Sequence, residues 1–164
     1  MLTRFFAVMS IVCVFASAQR AQASPVIKVG GPAPSFIVHG LDGSRISLGA
    51  FRGQPIFINF FATWCPPCKL ELPHIVDRFG QYRSSVTFIG LDEQETPDAV
   101  KAFVKQMGMA YTIGIDEGNV AAAYLVQAIP VSIFIDRAGI VRAINRGYLT
   151  PTLLQQDLTL IAGH

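Results

Sequence analysis

Cysteine, histidine and tryptophan are scarce in this chain: 164 residues carry three, three and one of them. The histidines, His39, His74 and His164, are scattered, and no second Cys-x-x-Cys accompanies the pair at Cys65 and Cys68, which argues against structural zinc. Lys69 stands directly after Cys68, where covalent haem attachment requires His. Charge is sparse too, at 15% of residues, and no basic run exists, so the electrostatic footprint of a nucleic-acid partner is missing. Nor is there an apolar run of membrane-spanning length. The longest, residues 5–18, falls short of the roughly 20 residues that a spanning helix needs.

That run has a different reading. Arg4 precedes it, and Ala21-Gln22-Ala23 follows with the small-x-small pattern of a signal-peptidase site. The expectation is a secretory signal peptide over residues 1–23, with an uncleaved anchor as the alternative. Cys13 lies inside it, and Val12 is not the small residue that a lipoprotein site needs. Loss of Arg4 and Arg20 leaves eleven basic and eleven acidic residues, so the mature chain is near neutral. Residues 24–164 suit a single domain exported to an oxidising, periplasmic compartment.

The remaining sequence alternates strand and helix patterns. Short β segments at 36–38 and 45–48 flank the turn residues 40–43 and predict a hairpin. The apolar run 55–61 predicts a central parallel strand buried on both faces, and 86–91 a second. A helix is expected over 66–82, kinked at Pro73, and another after Thr96 as N-cap with Pro97 in its first turn. Further strands are expected at 111–115, 131–135 and 140–146, with helices at 119–124 and 151–161. The fold class is α/β, a sheet covered by helices.

The chemistry concentrates in Trp64-Cys65-Pro66-Pro67-Cys68, where a buried strand runs out and a helix begins. A thiolate at a helix N-terminus is favoured by unpaired N–H groups and by the helix dipole, so Cys65 is the expected nucleophile and the more exposed of the two. Cys68, one turn on, is within disulfide reach and can resolve a mixed disulfide. A purely structural disulfide closing so short a loop is the bland alternative. The run Asp92-Glu93-Gln94-Glu95 has the look of a metal loop, but its place between a strand end and the Thr96 N-cap predicts a solvated turn, and hard cations need more converging oxygens. Lys69 and the lone His74 are expected on the surface.

These residues carry a resemblance. Gly31-Pro32-Ala33-Pro34-Ser35-Phe36, Phe60 through Cys68, Glu71-Leu72-Pro73, and Ile129-Pro130 leading into Phe134-Ile135-Asp136 and Gly139 resemble the TlpA/ResA/DsbE branch of thioredoxin-like proteins. The likeness covers residues 27–148. That branch comprises bacterial extracytoplasmic thiol:disulfide oxidoreductases, several serving cytochrome c maturation or copper-site assembly. The resemblance implies a thioredoxin-like fold with a central mixed sheet, an N-terminal β-hairpin and a central βα insertion. It implies a cis Ile129–Pro130 bond beside the dithiol, offering backbone to an extended substrate. Trp64 is expected to pack as a lid beside the thiols and contact substrate, with an ordinary partly buried Trp as the alternative, and Pro67 joins the expected substrate contacts. Glu71 matches the acidic residue that the branch holds near its site, a candidate for proton handling, against the alternative of a solvated helix Glu. Asn59 stands where cytoplasmic thioredoxins carry a buried Asp, a departure from thioredoxin that agrees with this branch.

The implied function is reduction of disulfides in exported proteins, with electrons from a membrane thiol-transfer protein and no cofactor. A disulfide-forming oxidant would use the same residues in reverse. A thiol peroxidase would need Thr three residues before its cysteine, whereas Thr63 is two before Cys65. A copper chaperone using the dithiol as soft ligands would lack a supporting Met or His cluster.

Overall fold

The computed structural model describes residues 27–163. The expected signal peptide and Cys13 lie outside the described residues.

The strand β3 (Ile56–Phe61) is buried at all six positions, as a β segment without polar alternation must be. Its side chains point alternately to the two faces of the sheet. Phe57 and Phe61 enter one apolar cluster, with Leu72 and Ile75 of α1 (Pro66–Tyr82), Val100 and Phe103 of α2 (Pro97–Met107), and Leu154, Leu158 and Ile161 of α4 (Pro151–Ala162). Ile56, Ile58 and Phe60 enter the other, with Val120 of α3 (Asn119–Ala123), Tyr124, and Phe36 and Ile27 from the lead-in. Tyr124 anchors that lead-in by donating its hydroxyl to the Pro34 carbonyl at 2.7 Å.

β3 also sits in the middle of the hydrogen-bonded order. The sheet runs β2-β1-β5-β4-β3-β6-β7, with β1 (Ile37–Gly40), β2 (Arg45–Ser47), β4 (Thr87–Glu93), β5 (Thr112–Asp116), β6 (Val131–Ile135) and β7 (Val141–Arg146). β3, β4 and β5 are parallel, while β6 runs antiparallel to β3 and β7 antiparallel to β6. The mixed sheet with helices on both faces is the α/β class expected, and the N-terminal hairpin joins it through an antiparallel β1–β5 pair. β5 and α3 form the βα unit between α2 and β6.

Local signals account for most element ends. Asp116 closes β5 and starts α3, because its carboxylate accepts from the backbone N–H groups of Gly118, Val120 and Ala121. The β6–β7 turn is held by Asp136, which accepts from Ala138 and Ile140 and pairs with Arg142 at 2.6 Å, while Gly139 takes the left-handed φ of 78° that the turn requires. Thr96 is the N-cap of α2, although its hydroxyl makes no capping bond. α1 runs through Pro73 as one helix. One element was not anticipated, a 3-10 turn over Leu48–Phe51.

The run 92–95 departs from the solvated turn expected. Asp92 and Glu93 belong to β4, Asp92 is fully buried, and its register partners are Phe61 and Ile115. The polar composition reads as a loop, but pairing on both edges of β4 extends the strand beneath it.

Phe57 is fully buried and meets Phe88 and Phe134 with ring centroids 5.1 and 4.9 Å away. Phe57→Ala should cost about 3–5 kcal/mol of stability through the cavity it leaves. Denaturant melts of both proteins would measure it, and a loss under 1 kcal/mol would mean that the core closes around the gap.

Candidate active site

Cys65 is the N-cap of α1, with extended backbone at φ −84° and ψ 109°, and Pro66 and Pro67 open the first turn. Proline suits that position because its missing N–H would have had no intrahelical partner. The first free donor is therefore the N–H of Cys68, and it points at Cys65 Sγ from 3.2 Å. Cys65 and Cys68 are joined as a disulfide, S–S 2.01 Å and Cα–Cα 5.3 Å. Greater exposure of Cys65 was expected, but in this oxidised form the two are 2% and 0% exposed. What distinguishes them is the hydrogen bond: a thiolate on Cys65 would receive the N–H of Cys68 and the positive end of the helix dipole.

Glu71 lies one turn beyond Cys68 on the same face of α1, and it is fully buried rather than solvated. Asn59 reaches it from β3, on the face shared with Phe57 and Phe61, donating Nδ2 to Glu71 Oε1 at 2.8 Å and to Ser132 Oγ at 3.1 Å. The Leu149 N–H donates to Glu71 Oε2 at 2.7 Å. Both donors favour the carboxylate, but burial outweighs them and raises the pKa to about 7. The carboxyl can therefore take or give a proton near neutrality.

The Ile129–Pro130 bond is cis. Phe60 pairs with Val131, so Pro130 lies at the end of the sheet where β3 leads into Cys65. Pro130 is buried and Ile129 half-buried. Ile129 and Trp64 line one groove of about 580 Å³ with Glu93, Gln94, Val126, Gln127 and Ala128. Trp64 is 64% exposed and lines this groove. Pro67 is half-buried in the first helical turn, and Lys69 and His74 are on the surface.

Sequence reasoning missed Glu95. Its carboxylate accepts from the Thr63 N–H at 2.5 Å and from Thr63 Oγ1 at 2.6 Å, two residues before the nucleophile. Its neighbours are acidic. Burial, reinforced by the Glu95 carboxylate, lifts Asp92 to about 8, and burial with the field of Asp116 lifts Glu93 to about 7. The usable signal was topological: residues just past the ends of adjacent parallel strands are neighbours, so 93–95 must face 62–64.

A dithiol at the N-terminus of a helix that follows a central buried strand, opposite a cis-proline, defines a thioredoxin-like thiol:disulfide oxidoreductase. Residues 29–144 match the AhpC/TSA family. Curated relatives include the thiol-disulfide oxidoreductase ResA of Bacillus thuringiensis subsp. konkukian, 37% identical over 137 residues, with 82% of this chain and 79% of that protein covered. ResA of Bacillus subtilis is 31% identical, over 82% and 76%. Among solved structures, a thioredoxin-family thiol:disulfide interchange protein from Chlorobium tepidum superposes with TM-score 0.75 at 29% identity, covering 84% of this chain and 99% of its own. The chain belongs to the AhpC/TSA family, and its relatives place it with the ResA-like thiol-disulfide oxidoreductases.

The raised carboxyls set a pH dependence. Glu71, Asp92 and Glu93 are protonated in folded and unfolded chains at low pH, where burial carries no ionisation penalty. Between the unfolded values near 4 and the folded values of about 7, 8 and 7, only the unfolded chain ionises freely, so stability falls as pH rises. Glu71 alone accounts for roughly 3 kcal/mol. The oxidised protein should melt at higher temperature at pH 5 than at pH 8, and Glu71→Gln should narrow the gap. Equal melting temperatures at the two pH values would contradict the assignment.

Proposed function

We propose that this protein reduces disulfides in exported protein substrates outside the cytoplasm, with Cys65 as the attacking thiol. The hydrogen bond from the Cys68 N–H to Cys65 Sγ carries the choice of Cys65 as attacker, because it stabilises a thiolate there, and the resemblance to the TlpA/ResA branch supports the reductive direction. The Cys65 thiolate attacks one sulfur of a substrate disulfide. A mixed disulfide forms and the other substrate sulfur leaves as a thiolate. Cys68 then loses its proton and attacks Cys65 Sγ, closing the Cys65–Cys68 disulfide and expelling the second substrate thiolate. Two electrons pass to the substrate. Glu71, one turn from Cys68 and titrating near 7, is the proposed acceptor of the Cys68 proton.

Trp64, Pro67, Ile129 and Pro130 form the proposed substrate contacts: the groove holds an extended segment between the indole and the backbone at Ile129. A membrane thiol-transfer protein regenerates the dithiol. An apocytochrome c or a copper-site protein is the substrate that the family suggests. Periplasmic location follows from the signal-peptide reading of residues 1–23.

Two measurements test this. Cys68→Ser should accumulate mixed disulfides with substrate proteins, and trapping by Cys65→Ser alone would reverse the roles. Equilibration against a dithiothreitol or glutathione series, followed by Trp64 fluorescence, should give a potential nearer thioredoxin's roughly −270 mV than the about −120 mV of DsbA. A value close to the latter would make the protein an oxidant, since a reductant in an oxidising compartment must hold its electrons at low potential.

A further inference from the structure

We propose that Glu95 is a positioning residue for the nucleophile, acting through Thr63 to fix the turn that carries Trp64 and Cys65. This rests on the assignment of Cys65 as the attacking thiol.

The segment from Ala62 to Cys65 leaves β3 and must turn before α1 can begin. The turn is closed by one backbone bond, from the Cys65 N–H to the Ala62 carbonyl at 3.2 Å. Thr63 is its second residue, and both of its donors go to the Glu95 carboxylate. Bonds to a carboxylate are short and strong, and two from one residue fix orientation as well as position. Trp64, the third residue, is largely exposed, so packing does little to hold the turn on that side.

Glu95 is itself braced. Its N–H donates to Asp92 Oδ1 at 3.1 Å, and the preceding Gln94 donates its N–H to the Asp116 carbonyl at 3.0 Å. Gln94 adopts φ 62°, left-handed backbone that a non-glycine residue takes only at a cost. That turn at Gln94 brings the chain back from the end of β4 so that the next side chain meets Thr63. Glu93, the last residue of β4, and Gln94 also line the groove shared with Ile129. One segment thus sets the turn bearing the nucleophile and lines the substrate groove.

The test isolates Cys65 in a Cys68→Ser background and follows its attack on an aromatic disulfide such as Ellman's reagent. The Cys65 thiolate displaces one coloured thiolate and forms one mixed disulfide. The rate is read at high pH, where the thiol is fully ionised, so the thiolate fraction drops out and a pKa change of one unit moves the rate only about threefold. Glu95→Ala should lower this plateau rate at least tenfold. Glu95→Gln should stay within about threefold of the parent, because the amide can accept from the Thr63 N–H and donate to its hydroxyl. Adding Thr63→Ala to Glu95→Ala should cost little more, since the two act as one unit. A parent plateau rate in Glu95→Ala, with only a lower melting temperature, would overturn the proposal and leave Glu95 a structural contact. A fall in Glu95→Gln as deep as in Glu95→Ala would overturn hydrogen bonding as its means. An unreactive Cys68→Ser parent would instead overturn the assignment of Cys65, and this proposal with it.

Discussion

Burial of β3 on both faces and pairing on both its edges is the constraint on which the rest depends. A strand so enclosed cannot shift register without moving Phe57 and Phe61 out of one core and Ile56, Ile58 and Phe60 out of the other. Its C-terminal end is therefore a fixed point in space. Cys65 is only four residues beyond it, and α1, pinned by Leu72 and Ile75, fixes the other side of the dithiol. The parallel partner β4 ends at the same level and brings 93–95 alongside, while the antiparallel partner β6 starts there and brings the cis-proline. Three segments distant in sequence converge because one strand holds all of them in register.

Asn59 is the polar exception in that strand. Its side chain enters an apolar face, and its cost is reduced by bonds to Glu71 and Ser132, although Oδ1 has no hydrogen-bond partner among the described residues. Because the strand cannot move, the Asn59 amide arrives at Glu71 from a fixed direction. The carboxyl is held at one spot rather than left to reorient. A buried carboxyl with donors on both oxygens is tuned between two opposing effects. Desolvation pushes its pKa up and hydrogen bonding pulls it down, and the balance falls near neutrality.

Most of the architecture was legible in the sequence because its signals are local. The nearly continuous apolar run 55–61, the Thr96-Pro97 start of α2 and the turn ending in Gly139 each specify an element from a few adjacent residues. The dithiol was legible for the same reason, since spacing and helix position suffice. Three features were not. The solvated turn expected at 92–95 proved half strand, because polar composition is a weak guide where an edge on either side supplies hydrogen bonds. Trp64 was expected beside the thiols or partly buried, and its large exposure at the groove is not encoded by any local signal. The contact between Glu95 and Thr63 spans 32 residues of sequence and exists only once β3 and β4 are paired.

The acidic residues at this end of the sheet show why such a site is costly to build. Asp92, Glu93 and Glu95 stand within four residues, and none of the ion pairs found among the described residues neutralises them. Neutralisation comes from protonation and from backbone donors. The raised values of Asp92 and Glu93 mean that burial is relieved by keeping a proton, at the expense of stability above neutral pH. Glu95, by contrast, has both oxygens occupied by Thr63. It is the one carboxylate of the cluster that grips the turn before the nucleophile. Beyond that turn, the Cys68 N–H and the helix dipole favour a thiolate on Cys65. The loop and the helix thus meet on either side of one short turn, the loop fixing its position through Thr63 and the helix favouring charge on its sulfur.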